Sequence, residues 1–246
     1  MLDWPWMNIH SAADLKIRLF ADGADLQGML KMYSMPWIQG FTTNPTLIRK
    51  AGISDYAAFG QQVVQSIPDR PISFEVFSDD FAEMERQAME MAHWGSNVYV
   101  KIPITNTRGE SSVELCRRLA VRGLKLNVTA LMTLQQVHEI AAALAGGPPA
   151  YVSVFAGRAA DTGVDPVPLM RTALGILAPY PNIQLIWASP RELLNIVQAD
   201  TIGCHIITVT YDLLAKLDLL GKDLAEYSLD TVKMFYRDAQ ASGFQI

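Results

Sequence analysis

The chain has 246 residues, 50% of them hydrophobic and 18% charged, which suits one large or two small globular domains with ample material for a core. Its net charge of −5 weighs against nucleic acid and anionic membrane as principal partners, so an anionic ligand would need a local positive field.

Apolar, β-branched runs predict strands at 16–22, 38–43, 71–77, 97–104, 125–131, 150–156, 183–188 and 205–210. Stretches with helical spacing lie between them, among them 81–95 (FAEMERQAMEMAHWG), 110–123 (ESSVELCRRLAVRG), 133–147 (TLQQVHEIAAALAGG) and 190–203 (PRELLNIVQADTIG). Each of these closes on Gly, the residue favoured just past a helix end. A last amphipathic helix is predicted over 228–244. Strands alternating with helices, with no linker-like break, predict a single (β/α)₈ barrel domain over 1–246, with a doubly wound open sheet as the alternative.

The only cysteines, Cys116 and Cys204, stand in no metal or redox spacing, which fits a reducing compartment. The opening MLDWPWMNIH lacks the basic region and long apolar stretch of a signal peptide. No apolar run reaches the ~18 residues of a membrane span. The expectation is a cytoplasmic protein without membrane partners.

One segment is anomalous. VYVKIPIT, 98–105, places Lys101 inside a strand that reads as buried, where an ammonium is costly without a partner. Lys101 is then either a strand-end lysine paired with a carboxylate or a desolvated amine used as a nucleophile. Strand parity bears on the choice. Alternate residues face opposite sides, so Val98, Val100 and Ile102 would face helices while Asn97, Tyr99 and Lys101 face the barrel interior. The same split sets Leu126 and Val128 against Lys125, Asn127 and Thr129, and Phe74 and Val76 against Ser73 and Glu75. It also sets Leu19 and Ala21 against Arg18, Phe20 and Asp22. These inward polar residues are expected near the C-terminal strand ends, the active-site mouth of a barrel, with Lys125 at the bottom of its strand.

Lys101, Asp22, Glu75, Asn44, Asn127 and Thr129 are therefore predicted to converge there, a set suited to carbonyl chemistry. Salt bridges to Lys101 would also account for Asp22 and Glu75, and a turn for Asn44 before Pro45. A second cluster, Arg158 in SVFAGR with Ser189 and Arg191 in ASPREL, falls past the sixth and seventh strands, where barrels often bind phosphate at helix N-termini. His10, His93, His138 and His205 have no paired ligand spacing, and no P-loop or dinucleotide fingerprint occurs. The prediction is that no metal or other cofactor is used, an iminium on lysine serving as the electron sink.

The segments FADGAD, GFTTNPTLIRKAG, VYVKIPIT, LKLNVTALMT, VSVFAGR, IWASPREL and DTVKMFYRDA resemble the transaldolases, notably the short bacterial branch that includes fructose-6-phosphate aldolase. The resemblance implies a (β/α)₈ barrel, Lys101 as the Schiff-base lysine, and Asp22 as acid/base on the hydroxyl beside the cleaved bond. Glu75 and Thr129 would hold and activate water. Asn44 and Asn127 would contact the ketose chain, and Arg158, Ser189 and Arg191 its phosphate, with Ser153 close by. The implied partners are sugar phosphates of the pentose phosphate pathway and further copies of the chain, as a pentamer or decamer with the C-terminal helix reaching a neighbour. Phe155 with Glu75 is similar to the transaldolase pattern, Tyr with Gln to the aldolase pattern. An aldolase of the same fold and a non-catalytic sugar-phosphate sensor are the alternatives. Gly23 stands where the family usually has Thr, which is expected to loosen that loop, and Pro190 where an aromatic residue is common. The N-terminal segment has no counterpart in the shortest members.

Overall fold

In the computed structural model, which describes residues 9–243, eight parallel strands pair in chain order and close on themselves. The strands are β1 (Arg18–Asp22), β2 (Ile38–Thr42), β3 (Ile72–Glu75), β4 (Val98–Pro103), β5 (Leu126–Leu131), β6 (Ala150–Val154), β7 (Ile183–Trp187) and β8 (Ile206–Thr210). The helices are α1 (Leu26–Tyr33), α2 (Pro45–Lys50), α3 (Tyr56–Ser66), α4 (Phe81–Ala92), α5 (Val113–Val121), α6 (Leu134–Leu144), α7 (Ala156–Asp161), α8 (Pro166–Leu177), α9 (Leu193–Thr201), α10 (Tyr211–Leu214) and α11 (Leu224–Ser242). The architecture is a (β/α)₈ barrel, and the open sheet is excluded by the pairing of β1 with β8. Closure leaves the strands without an exposed edge.

Local chemistry starts several of the helices. The carboxylates of Asp25, Asp55 and Asp80 accept from the backbone N–H of Gly28, Ala58 and Glu83, and Thr133 with Gln136 forms a reciprocal cap on α6. The strands then divide their side chains by parity. Leu19, Ala21, Phe74, Val100, Ile102, Leu126 and Val128 join the apolar layer between sheet and helices. Phe20, Tyr99, Tyr151, Ile186, Ala188 and Ile206 form a separate cluster inside the barrel, with Phe155 packed on it. Tyr99 and Tyr151 stack at 4.1 Å, and Phe20 meets Tyr151 edge-on at 5.8 Å. This plug fills the barrel and makes a floor for what lies above it.

Several boundaries differ from expectation. The third strand ends at Glu75 rather than residue 77, and Phe77 is 64% exposed. The sixth ends at Val154, because Ala156 already opens α7. Arg18, Asn97 and Lys125 lie away from the mouth, which agrees with the expected place of Lys125 at the bottom of its strand and corrects the other two. They sit at the opposite end, where the Asn97 amide donates to Ile67 and Arg70 carbonyls at 2.8 Å and Lys125 donates to the Ser96 carbonyl at 2.8 Å. The Arg18 guanidinium bonds Gln184. Alternation reports the face of a strand and says nothing of depth along it.

The last helix starts earlier than expected, at Leu224, and buries none of its residues. Residues 1–8, most of the N-terminal segment without a family counterpart, and Phe244 lie outside the described residues. Among the described residues no helix is long and apolar enough to cross a membrane.

Candidate active site

Above the aromatic floor a cavity of about 610 Å³ opens at the C-terminal ends of the strands. Its wall includes Asp22, Asn44, Glu75, Lys101, Thr129, Ser153, Phe155, Arg158, Ser189 and Arg191. Of the residues predicted for the site, Asn127 alone is missing from that wall. It is completely buried, donating to Ser73 Oγ at 3.0 Å and accepting from Ser153 Oγ at 2.7 Å. Asn127 therefore ties the strands together beneath the cavity, beside Lys101 in the β4–β5 register.

Lys101 is 6% exposed. Its Nζ donates to the Thr43 carbonyl at 2.7 Å and lies 3.1 Å from Glu75 Oε2, so the buried amine does have a carboxylate partner. β3 and β4 pair Glu75 directly with Lys101, and β4 and β5 pair Lys101 with Asn127, which fixes this row across three strands. Asp22, at the end of β1, accepts from Thr42 Oγ1 at 2.7 Å, and Thr42 in turn bonds the Thr208 hydroxyl. Burial raises the Asp22 pKa above its ordinary value, while the Lys101 charge and the Thr42 bond pull the other way. Thr42 and Thr208 escaped the sequence reading. Thr42 was visible in the TTNP element and Thr208 lies on the inner parity of β8, but nothing local ties either to Asp22.

Thr129 Oγ1 is buried and has no hydrogen-bond partner, although it borders a polar cavity. The β5–β6 register shifts between Val128 and Leu131, and Ala130 there has φ 64°. Ser189 has φ 62°. Among the described residues these are the only non-glycine residues with positive φ, and both line the cavity. Backbone held in such conformations concentrates at functional sites.

The second predicted cluster assembles around Gly157. A Cβ at Gly157 would lie 1.5 Å from the Ser189 carbonyl oxygen, so only glycine lets α7 pack onto the segment after β7. Arg158 rides on α7 with its guanidinium 5.1 Å from the Phe155 ring centre. Arg191 reaches Asp161 with Nε at 2.9 Å from Oδ1 and a second, close contact from Nη2 to Oδ2. Arg191 precedes α9 instead of opening it, and its N–H, like that of Glu192, donates to Asn195 Oδ1. Those amides are spent on the cap, so the Arg side chains and Ser189 carry what this corner offers an anion. Asn44 both borders the cavity and caps α2, accepting from Leu47 N–H at 3.0 Å. Its turn role and its site position coexist.

The space beside Gly23 is filled. A Cβ there would lie 2.2 Å from ring atoms of Tyr211, which occupies the space a side chain would take. The histidines stay apart from the cavity wall: His93 Nδ1 bonds the Met89 carbonyl, and His205 Nδ1 accepts from Leu185 N–H at 3.0 Å.

Residues 19–246 match the model of the family described as Transaldolase/Fructose-6-phosphate aldolase. The chain belongs to this family. It is 37% identical over 202 residues to a protein of Dehalococcoides mccartyi named "Probable transaldolase", covering 82% of this chain and 90% of the relative. A protein of the same name from Thermoanaerobacter sp. is 34% identical over 224 residues, covering 91% and 98%. Among solved structures, 2,3-dimethylmalate lyase superposes with a TM-score of 0.52 at 13% identity, covering 95% of this chain and 86% of that one. That likeness concerns the barrel alone. Within the transaldolase family, then, the chain carries a mouth with one buried amine, two carboxylates and a two-arginine corner.

Proposed function

We propose that the protein acts as a transaldolase, moving a dihydroxyacetone unit from a ketose phosphate, fructose 6-phosphate or sedoheptulose 7-phosphate, to an aldose phosphate such as erythrose 4-phosphate. The observation that carries this reading is the buried Lys101 amine, 3.1 Å from Glu75 and sharing one cavity with Asp22.

The neutral Lys101 amine adds to the ketose carbonyl carbon, and the carbinolamine loses the carbonyl oxygen as water to give an iminium. Asp22 takes the proton from the hydroxyl beside the bond to be cleaved. That carbon–carbon bond breaks, its electron pair enters the iminium to form an enamine, and the shortened aldehyde leaves. The enamine carbon then attacks the acceptor aldehyde, and Asp22 returns its proton to the new alkoxide. Water, held by Glu75 and Thr129, hydrolyses the product iminium and frees Lys101. The raised proton affinity of Asp22 suits a group that keeps a proton between the two half-reactions. Arg158, Arg191 and Ser189 would hold the phosphate, with Ser153 close by, and Asn44 and Asn127 the chain of the sugar. We further propose that the chain works as one domain in the cytoplasm, in the pentose phosphate pathway, and as a homo-oligomer.

Phe155 separates transfer from simple cleavage. An apolar ring beside the enamine provides no hydroxyl to protonate it, so the enamine persists until an acceptor arrives. The test is glyceraldehyde 3-phosphate release from fructose 6-phosphate with and without erythrose 4-phosphate. Release should depend on the acceptor, and Phe155→Tyr should raise release without acceptor while depressing transfer. Full-rate cleavage by the wild type without acceptor would make the protein an aldolase.

A further inference from the structure

At its C-terminal end β3 outlasts its neighbour β2. The two strands pair only through Phe41 with Ile72 and Thr42 with Ser73, and the last ladder bond runs from Thr43 N–H to the Ser73 carbonyl. Beyond that point β2 has turned away at Asn44 into α2. On the other side β3 stays paired, since Val76 N–H donates to the Lys101 carbonyl. Backbone groups of successive strand residues point to opposite neighbours, so the N–H and C=O of Glu75 face the place where β2 is gone. Left without partners, they would free the residue that carries the carboxylate beside Lys101.

One hydroxyl fills that place. Tyr56 Oη accepts from Glu75 N–H at 3.0 Å and donates to the Glu75 carbonyl at 3.2 Å. The ring is fixed independently by edge contacts to Phe74 at 6.3 Å, Phe77 at 5.8 Å and Trp94 at 5.8 Å. Its residue opens α3, anchored by the Asp55 cap. Burial pushes the phenol up to about 12, which keeps the proton that the second bond needs.

We propose that Tyr56 is a positioning residue that stands in for the missing strand, holding Glu75 at the Lys101 amine and thereby setting the rate of iminium formation and hydrolysis. The inference rests on the Schiff-base reading given above. Tyr56 does not line the cavity, and its two backbone hydrogen bonds are both to Glu75, with the Thr43 side chain also within its reach.

The experiment compares the full-length wild type, Tyr56→Phe, Glu75→Gln and the double variant, with Phe77→Leu as a packing control that keeps the hydroxyl. Borohydride is added at intervals after mixing with fructose 6-phosphate, and the trapped fraction is followed by mass. Misplacing a reacting group by a fraction of an ångström to one ångström costs roughly tenfold to a hundredfold. Tyr56→Phe should therefore slow adduct formation and lower kcat by roughly tenfold or more, with KM nearly unchanged, while Phe77→Leu stays near wild type. Because the hydroxyl acts through Glu75, Tyr56→Phe should add little in the Glu75→Gln background. Wild-type trapping with an unaffected Tyr56→Phe overturns this inference alone. So do losses that multiply in the double variant, or a Phe77→Leu loss of equal size, each of which would assign Tyr56 to packing. Absence of an adduct in the wild type overturns the Schiff-base reading and this inference with it.

Discussion

Asp22 is a carboxyl kept in an unfavourable place. Burial raises its pKa above the ordinary 3.8, so its neutral form is preferred in the folded protein relative to the unfolded chain. Below pH 3.8 the group is neutral in both states and costs nothing. As pH rises through the raised folded value, the folded state must hold a buried charge and stability is lost. Asp22→Asn, which keeps the shape and removes the ionisation, should raise the melting temperature at neutral pH, and the gain should fade as pH falls toward 4. Melting curves of both proteins from pH 4 to 8 check this; a gain that does not vary with pH would mean that Asp22 carries no ionisation penalty. The same substitution should abolish carbon–carbon cleavage, because an amide cannot take the hydroxyl proton.

At the scale of elements, α7 and the segment before α9 form the anion corner, and their arginines are unequally committed. Arg191 is tied to Asp161 through two bonds, whereas Arg158 lies over Phe155. A charge-assisted hydrogen bond contributes roughly 1.5–3 kcal/mol, about tenfold or more in binding. Arg158→Ala should raise KM for phosphorylated acceptors by at least that much. Arg191→Ala should cost less, since it must first leave Asp161. Steady-state kinetics with erythrose 4-phosphate and unphosphorylated glyceraldehyde decide it: equal losses with both acceptors would give these arginines a structural role.

These elements also mark what the sequence made legible. The β-branched runs and inner parity located the eight strands and put Lys101, Glu75, Asp22 and Thr129 in one cavity, because both signals are local and periodic. Depth was not local. Asn127 shares the inner face of its strand with Thr129, yet it is sealed beneath the cavity that Thr129 borders. Tyr56 was invisible for a related reason. Its partner is a backbone gap created where β2 stops, a property of how three segments meet. The neighbour of Gly23 was likewise not local, because the ring that fills its space arrives from the far end of the chain, with Tyr211.

For the whole molecule, α11 is the element that the barrel leaves without a role in its core. Leu224 is 80% exposed, and Val232, Phe235 and Tyr236 are exposed along the same helix. A helix of 19 residues that buries none of them has no intramolecular reason to be apolar. We propose that it docks on another copy of the chain, in keeping with the homo-oligomer expected from the family. Replacing Phe235 and Tyr236 by Asp should shift the mass measured by light scattering toward that of one 27.2 kDa chain while the barrel stays folded. An unchanged mass would place α11 outside the assembly.

The central claim is that Lys101 becomes covalently bonded to the substrate, and one measurement addresses it directly. The protein is incubated with fructose 6-phosphate, reduced with borohydride, digested and weighed peptide by peptide. Wild type and Lys125→Ala should gain a reduced sugar-derived adduct on the peptide carrying residue 101, and Lys101→Ala should gain none while remaining folded. An adduct that persists in Lys101→Ala, or an active wild type that never acquires one, would contradict the account.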